Sequence, residues 1–275
     1  MTPVLRCGRL ALGLERARVM GILNVTADSF SDGGRFLDAS RAIAHGVALA
    51  RDGADLVDVG GESTRPGAQP VPVEAELARV MPVLTALVRE GVAVSVDTMK
   101  PEVMRQAIDA GCCMINDVNA FRATGAVEAV ARADVGLCVM HMQGTPATMQ
   151  ADPHYGDVVA EVRAYLDERA AALEEAGVAR GRIAVDPGFG FGKTYQHNLC
   201  LLTGLRRIAE GGHPVVAGLS RKRMIGEITG RPVEERVAGS VAAALLAVQN
   251  GARIVRVHDV RETVDALKVL QALAT

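Results

Sequence analysis

The sequence predicts an α/β fold, a (β/α)8 TIM barrel with a short N-terminal β-hairpin, in a single domain over residues 1–275. Three observations lead to this prediction. Short apolar segments alternate with segments of helical period along the chain, eight such units fit within its length, and nearly every apolar segment ends in a polar residue. Eight parallel strands with intervening helices close into a barrel of about 250 residues. We place the hairpin before Val19, plugging the barrel base.

Each predicted strand is a short apolar run that stops at a polar residue. The runs and the residues at which they end are Val19–Leu23 at Asn24, Leu56–Val57 at Asp58, Val92–Val96 at Asp97, Met114–Ile115 at Asn116, Leu137–Met140 at His141, Ile183–Val185 at Asp186, Val215–Leu219 at Ser220, and Ile254–Val257 at His258. Such runs are typical of parallel strands buried on both faces. An open doubly wound sheet is the alternative, but it usually carries a GxGxxG fingerprint that is missing here after the first strand.

The helices are predicted from small or apolar positions at i, i+3 and i+4 spacing. Ala39–Arg51 and Asp157–Ala176 follow this spacing, and Pro101 suits the first position of a helix after the third strand. Two further helices are predicted near the C-terminus, over Val233–Val248 and Thr263–Leu273. Their Ala- and Val-rich faces fit either packing on the barrel or a dimer contact.

Composition and charge argue against several classes of function. The chain is 49% hydrophobic with 3% aromatic residues and no Trp, so its core is built from aliphatic side chains. The formal net charge is -2 and no basic run exceeds Arg221-Lys222-Arg223, which predicts neither a nucleic-acid nor a membrane partner. The N-terminal segment lacks the apolar centre of a signal peptide, and no stretch has the apolar length of a membrane span.

The cysteines predict a reducing environment. There are five of them, an odd number, and no CxxC pair occurs among Cys7, Cys112, Cys113, Cys138 and Cys200. Neither a disulfide framework nor a thiolate zinc site is therefore predicted. We expect the protein to be cytoplasmic.

Polar residues at the strand ends predict where the chemistry lies, because the carboxyl ends of all barrel strands meet at one mouth. Any one of these residues could simply cap a strand. Several together near an apolar core need partners, since an unpaired buried polar group costs about 1–3 kcal/mol. We expect a ligand rich in donors and acceptors among Asn24, Asp58, Asp97, Asn116, Asp186, Lys222, Arg256 and His258.

Two glycine-bearing loops follow the first two strands, over residues 26–34 and 60–68, and both could close over a substrate.

Arg65, Arg256 and His258 offer cationic or donor groups to a diphosphate, and Arg256 and His258 lie two apart on one strand, so they point the same way. Asn24 offers a neutral oxygen to a hard cation. Such groups stabilise charge that develops on a leaving group.

A glycine-rich segment over residues 186–193 follows the sixth strand and turns the chain sharply. Asp186 would then face the mouth, with Phe191 as a wall for a flat ring. A carboxylate accepts two parallel N–H bonds from a guanidine-like edge such as that of a 2-amino-pyrimidinone. Asp97 and Asn116 could complete the recognition of that edge.

Eight segments together resemble the dihydropteroate synthase family of the folate pathway. They are MGILNVTADSFSDGG, DVGGESTRPGA, SVDTMKPEV, INDV, MHMQGTP, DPGFGFGKT, GLSRK and VRVHDV, in that order from about residue 19 to residue 260. The resemblance implies a transferase that joins 6-hydroxymethyl-7,8-dihydropterin diphosphate to p-aminobenzoate with Mg2+. Members of the family are typically cytoplasmic homodimers inhibited by sulfonamides.

The resemblance also implies roles for individual residues. Asn24 is similar to the residue that holds Mg2+ with the diphosphate, and the diphosphate set is completed by Arg65, Arg256 and His258. The pterin set is Asp97, Asn116, Met140, Asp186, Gly218 and Lys222. The p-aminobenzoate wall is Ser63, Thr64, Pro66, Phe191 and Ser220. The catalytic step is assigned to Asp97, Lys222, Arg256 and His258.

Two positions depart from the family pattern, Ala27 where Pro is common and Arg223 where a smaller residue is common. Neither carries an assigned chemical role. Two other functions stay open at this point. A methyltetrahydrofolate-binding methyltransferase shares the barrel but has no use for a diphosphate clamp, and a catalytically silent homologue usually loses loop or clamp residues.

Overall fold

The structure, a computed structural model, describes residues 3–26, 34–65 and 67–273, with the backbone alone for residues 34–38. The hairpin consists of β1 (Val4–Cys7) and β2 (Leu10–Gly13). The other strands are β3 (Arg18–Asn24), β4 (Leu56–Gly60), β5 (Val94–Asp97), β6 (Met114–Asp117), β7 (Gly136–Met140), β8 (Ile183–Asp186), β9 (Val215–Ala217) and β10 (Ala252–Val257). Neighbouring strands from β3 to β10 pair in parallel, and β10 pairs with both β9 and β3. The predicted closed barrel with its N-terminal hairpin is confirmed.

Helices fill the connections between the strands. They are α1 (Gly34–Arg51), α2 (Val73–Arg89), α3 (Pro101–Asp109), α4 (Ala126–Val130), α5 (Val158–Glu175), α6 (Tyr195–Thr203), α7 (Leu205–Ala209), α8 (Arg223–Thr229), α9 (Val237–Gln249) and α10 (Val260–Ala272). Short 3-10 turns lie at Arg180–Arg182 and Val233–Glu235. Pro101 takes the first helical position as predicted, and Asp157 caps α5 by accepting the N–H groups of Val159 and Ala160, each at 3.0 Å.

The strands alternate between an outer face and an inner face. Val57 and Val59 of β4 face outward into the buried cluster that joins the barrel to its helices, and Asp58 between them faces inward. At Gly46 of α1 a Cβ atom would come within 3.0 Å of side-chain carbons of Leu23 and Leu87. Glycine there lets α1 approach the strands closely.

Several predicted boundaries are corrected by the structure. The helix predicted from Ala39 begins at Gly34, and the one predicted from Thr263 begins at Val260. The strand that was predicted to end at Asp58 continues to Gly60, because an inward polar side chain interrupts the apolar run without interrupting the ladder. β9 ends at Ala217, short of the predicted Leu219. The helix predicted to begin at Val233 begins at Val237, after a 3-10 turn that follows Pro232.

The hairpin closes the base of the barrel, as predicted. Leu5, Cys7, Leu12 and Leu14 pack in one buried cluster with the lowest inward side chains of the strands, which are Met20, Leu56, Met114, Cys138, Ala184, Val216 and Ile254. This apolar floor leaves the opposite end as the open mouth. Within the described ranges, no helix has both the length and the apolar character needed to cross a bilayer.

We predict that Leu5→Ala lowers the free energy of unfolding by about 2–5 kcal/mol, because Leu5 is 0% exposed and its loss opens a cavity in the barrel floor. Val4→Ala is the matched control, since the neighbouring Val4 is 43% exposed. Urea unfolding followed by circular dichroism measures both. Equal effects of the two substitutions would show that the hairpin does not plug the barrel.

Candidate active site

One pocket opens at the carboxyl ends of the strands. Its lining residues are Thr64, Asp97, Asn116, Val118, Met140, Asp186, Phe191, Gly218, Lys222 and Arg256. Every one of them except Val118 is among the site residues predicted from the sequence. Val118 follows the predicted strand end at Asn116 by two residues and carried no polar signal, so only the fold brings it to the pocket.

Arg256 lies at the centre of the pocket floor and joins two carboxylates. Its Nε donates to Oδ2 of Asp58 at 2.6 Å, and its Nη2 donates to Oδ2 of Asp97 at 2.8 Å. Burial raises the pKa of Asp97 to about 7, and the neighbouring Asp58 adds to that rise while Arg256 opposes it. Burial opposes the charge of Arg256, but the two carboxylates raise its pKa above the usual value. The guanidinium is therefore the counter-ion of both.

Asp58 was expected at the mouth, and the structure corrects this expectation. Asp58 is 0% exposed and lies in register with Ile22 and Ser95, one inward position below the level of Gly60 and Asp97. Its Oδ2 also accepts Nδ2 of Asn116 at 3.0 Å. Asp58 therefore supports the floor from below.

Asn116 is oriented by this contact. Because its amide nitrogen points down to Asp58, its Oδ1 is turned away, buried and without a hydrogen-bond partner in the described part of the chain. An unpaired buried acceptor carries a free-energy cost that a donor on a ligand would remove. The position is thus suited to recognise an N–H group.

Asp186, Lys222 and Phe191 form one side of the pocket. Oδ1 of Asp186 accepts the N–H of Gly188 at 2.7 Å, and burial raises the pKa of Asp186 while Lys222 opposes the rise. Burial lowers the pKa of Lys222 to about 8, and Asp186 works against that shift. Nζ of Lys222 lies 4.6 Å from the centre of the Phe191 ring. A cation, a carboxylate and an aromatic wall are thus assembled in one place.

The glycine-rich loop after β8 carries this wall, and side chains satisfy its backbone. Four consecutive carbonyl groups each accept a side-chain donor: Phe189 from Lys222, Gly190 from Gln150 at 2.6 Å, Phe191 from Lys193 at 2.9 Å, and Gly192 from Tyr155 at 2.8 Å. Lys193 also meets Nδ1 of the buried His141 at 2.9 Å. Of these four donors only Lys222 was predicted as a site residue. Gln150 and Tyr155 act on backbone groups that only the fold places near them, and Lys193 acts on its own loop.

His258 lies after the end of β10, beside Ser220. Burial and the nearby charges of Arg256, Arg221 and Arg65 lower the pKa of His258 to about 4, so the imidazole is neutral near pH 7. The hydroxyl of Ser220 accepts the backbone N–H of His258 at 3.2 Å and lies 3.0 Å from its Nδ1. In the tautomer with the ring proton on Nε2, the Ser220 hydroxyl donates to Nδ1 and Nε2 is the donor of the ring.

Asn24 lies at the end of β3, across Gly60 from Asp97. The position that a Cβ on Gly60 would take lies 3.8 Å from both Oδ1 of Asn24 and Oδ2 of Asp97. Glycine keeps this space between two oxygens open. Mg2+ is bound in proteins by one or two oxygen ligands together with substrate phosphates, so the residues present fit such an ion.

The two closing loops are described only in part. Thr64 reaches the pocket, Arg65 is exposed, and the Arg65 N–H donates to Oγ of Ser63 at 3.4 Å. Ala27 and Pro66 lie outside the described residues, and so does most of the first loop. Arg223 points to solvent, where its Nε donates to Glu227 at 2.6 Å, so this departure from the family pattern lies away from the pocket.

The chain is similar to known proteins over nearly its whole length. The sequence profile of the family described as "Pterin binding enzyme" matches residues 20–258. The dihydropteroate synthase of Neisseria meningitidis serogroup C is 52% identical over 98% of this chain and 97% of its own length. A structure of the Xanthomonas albilineans dihydropteroate synthase with 4-aminobenzoic acid superimposes with a TM-score of 0.95 at 57% identity, covering 100% of this chain and 99% of that one. The same enzyme with 7,8-dihydropteroate has a TM-score of 0.91 at 55% identity, covering 99% of each chain.

We predict that Arg256→Met lowers the free energy of unfolding by about 3–5 kcal/mol at pH 8, since it leaves two buried carboxylates without their counter-ion. Losing the cation removes the charge that opposes the raised pKa of Asp97, so its protonated form, which tolerates burial, persists to higher pH. The deficit should therefore be smaller at pH 6 than at pH 8. Urea unfolding at both pH values measures it.

Arg253→Met is the control for this measurement, because Arg253 lies on the same strand with an exposed side chain. We expect its effect to be small and independent of pH. A pH-independent loss in Arg256→Met, or one equal to that of Arg253→Met, would contradict the counter-ion role of Arg256.

Proposed function

This chain belongs to the dihydropteroate synthase family of pterin binding enzymes, and we propose that it condenses 6-hydroxymethyl-7,8-dihydropterin diphosphate with p-aminobenzoate, giving 7,8-dihydropteroate and diphosphate. It is a transferase of folate biosynthesis. The observation that carries the proposal is the pocket itself, which brings the acceptors of Asp97, Asn116 and Asp186 together with Lys222 and Phe191.

The proposal begins with the pterin. Its 2-amino-pyrimidinone edge presents parallel N–H donors, and Asp186 and the free Oδ1 of Asn116 are acceptors suited to receive them. Lys222 is a donor suited to a ring oxygen or nitrogen. Met140 and Gly218 line the same pocket, and the lack of a side chain at Gly218 leaves room for a flat ring.

The diphosphate is proposed to lie outward of the pterin. Arg65 on the second loop supplies a cation, and Nε2 of the neutral His258 supplies a donor that Ser220 orients. Arg256 was assigned to the same set, and it remains there as a cation whose guanidinium is already shared with Asp58 and Asp97. Asn24 would hold Mg2+ beside the diphosphate, and when bound the ion neutralises charge on the leaving oxygens.

The reaction needs no covalent nucleophile from the protein. The bond between the pterin methylene carbon and the diphosphate oxygen breaks, and its electron pair leaves with the diphosphate. The amine nitrogen of p-aminobenzoate then forms the new carbon–nitrogen bond and loses a proton. A pterin-methyl cation is the proposed intermediate, since the electron-rich ring spreads its charge, and Asp97 is the anion placed to stabilise it.

The aromatic amine is proposed to enter between the two loops and the glycine-rich segment. Ser63, Thr64, Pro66, Phe191 and Ser220 form its proposed wall. Thr64 and Phe191 both line the pocket, which supports this placement. Closure of the loops would exclude water that would otherwise capture the cation.

The proposal is favoured over the two other functions considered from the sequence. A methyltetrahydrofolate-binding methyltransferase transfers no diphosphate and has no use for Arg65 and His258. A catalytically silent homologue would not keep the acceptors and the cation of the pocket together. We also propose a cytoplasmic location, supported by the free thiols of all five cysteines.

A homodimer is part of the proposal. The exposed face of α9 carries Ala238, Ala242 and Leu246 at four-residue spacing, with Leu246 49% exposed. Ile228 of α8 is 54% exposed and adds apolar surface. Such a face fits a second copy of the chain across a two-fold axis, since the same apolar patch on each copy would cover the other.

We predict that the wild-type protein forms dihydropteroate from the two substrates with Mg2+ and that chelation by EDTA abolishes the reaction. Asp97→Ala and Arg256→Ala should each lower kcat by about 10²–10³-fold, because each removes a charge preorganised at the reacting centre. Circular dichroism verifies folding, and Arg253→Ala serves as a control on the exposed face of the same strand. Near-normal turnover of both pocket variants would refute the assignment of the site.

We predict that Leu246→Glu converts a wild-type dimer into monomers, because it places two like charges in the apolar contact. Val4→Glu is the matched control, since it puts the same charge at a 43% exposed valine on the hairpin. Sedimentation equilibrium measures the mass of each. A monomeric wild type, or a Leu246→Glu variant that stays dimeric, would contradict this interface.

A further inference from the structure

A cluster of three charged side chains lies behind the second loop, outside the pocket. Nζ of Lys100 lies 2.5 Å from Oε2 of Glu62, and it also pairs with Oε2 of Glu76. The side chains are 18%, 7% and 0% exposed for Lys100, Glu62 and Glu76, respectively. We refer to these residues as the Glu62–Lys100–Glu76 cluster. Glu62 and Lys100 lie in two of the segments that carry the family resemblance, but no role was assigned to either residue, and the proposed reaction does not use the cluster.

Such a cluster is costly unless its charges neutralise each other. Burial lowers the pKa of Lys100, but hydrogen bonds and charge from Glu62 and Glu76 overcome this effect and raise it above the usual value. The ammonium is therefore kept charged between two carboxylates. Oε1 of Glu76 is buried with no hydrogen-bond partner within the described chain, so Lys100 is the main source of its stabilisation.

Glu62 joins the start of the second loop to Val71, which lies three residues after the loop ends. Its Oε1 accepts the N–H of Val71 at 2.9 Å, which closes the segment from residue 62 to residue 71 into a ring. The preceding residue is fixed as well, because Arg79 of α2 donates to the carbonyl oxygen of Gly61 at 2.9 Å. Thr64 and Arg65 lie inside this ring, so their position depends on where the Glu62 carboxylate is held.

Lys100 connects this ring to the strand end that carries Asp97. It is the N-cap residue of α3, and its N–H donates to Oγ1 of Thr98 at 3.2 Å. Only two residues separate it from Asp97, which lines the pocket. The salt bridge to Glu62 is thus a direct link between the turn after β5 and the base of the second loop.

We propose that Lys100 is a positioning residue, whose ammonium holds Glu62 so that Thr64 reaches the pocket that Asp97 lines and the adjacent Arg65 is held in place on the same loop. The inference rests on the proposed function, because it assumes that the second loop helps to bind the aromatic amine and the diphosphate. It does not place Lys100 in contact with either substrate. The rest of the pterin pocket, which is formed by Asn116 of β6, Asp186 of β8 and Lys222 after β9, should keep its affinity when this link is broken.

The test is a comparison of steady-state constants. Lys100→Met and Glu62→Gln should each raise KM for p-aminobenzoate by roughly 10-fold or more, the effect of losing a hydrogen bond to a charged group. Binding of a pterin analogue without a diphosphate, measured by calorimetry, should change by less than about 3-fold. Lys100→Arg keeps the charge and should restore KM to within about 3-fold of the wild type. Lys100→Met and Glu62→Gln break the same salt bridge. KM for p-aminobenzoate in the double variant should therefore be no higher than in the single variant with the higher KM.

Two controls separate positioning from stability. Glu76→Gln weakens the buried part of the cluster but keeps the link between Lys100 and Glu62, so it should lower the melting temperature while leaving KM near the wild-type value. Lys268→Met removes an exposed lysine on α10 whose side chain is 70% exposed. All variants are assayed well below their melting temperatures.

The outcomes are distinct. Unchanged KM for p-aminobenzoate in Glu62→Gln and Lys100→Met, with an active wild type, would overturn the positioning role. The role would also be overturned if KM for p-aminobenzoate rose as much in Glu76→Gln as in Glu62→Gln and Lys100→Met, since lost stability alone would then explain the effect. A wild type that forms no dihydropteroate would instead overturn the proposed function. If Lys100→Met does not fold, Glu62→Gln and Lys100→Arg carry the same test.

Discussion

The pairing of Arg256 with Asp58 and Asp97 is the interaction on which the rest of the mouth depends. A closed parallel barrel directs the carboxyl ends of all its strands to one place, so polar side chains of distant sequence meet in a space with little water. Two carboxylates there would repel each other and take up protons. The guanidinium of Arg256 on β10, the last strand, pairs with Asp58 of β4 and Asp97 of β5. The first barrel strand, β3, lies between β10 and these two strands, so the contact spans the point at which the barrel closes. The charge balance of the pocket floor, formed by Arg256, Asp58 and Asp97, therefore depends on the closure of the barrel.

The same constraint explains how the irregular backbone around the pocket is held. A glycine-rich loop satisfies few of its own carbonyl groups, and at the rim of a buried site solvent does so only in part. Side chains from two other segments supply three of the four donors, with Gln150 and Tyr155 from the loop after β7 and Lys222 from the turn after β9. Phe191 is thereby fixed as a wall. Lys222 has two functions, since the ammonium that binds the Phe189 carbonyl also faces Asp186.

Charge neutralisation also organises the surroundings of the pocket. The Glu62–Lys100–Glu76 cluster has the same arrangement as Asp58, Arg256 and Asp97 in the pocket floor, with one cation between two buried carboxylates. In the floor the arrangement serves the pocket directly, whereas behind the second loop it connects that loop to the neighbouring strand end. Both depend on side chains that come together from elements far apart along the chain.

The sequence by itself determined the barrel, the hairpin and most of the pocket. Eight apolar runs that end in polar residues are a local pattern, and a parallel barrel has only one edge at which those ends can meet, so Asp97, Asn116, Asp186 and Lys222 could be assigned to one mouth. Only the tertiary structure decided which of these groups face a ligand and which support others. Asp58 has the same local pattern as Asp97, yet the register of the strands places it one inward position lower, where it holds Arg256. Partners such as Lys100 and Glu62 are 38 residues apart, and no periodicity in the chain records a contact made across the fold.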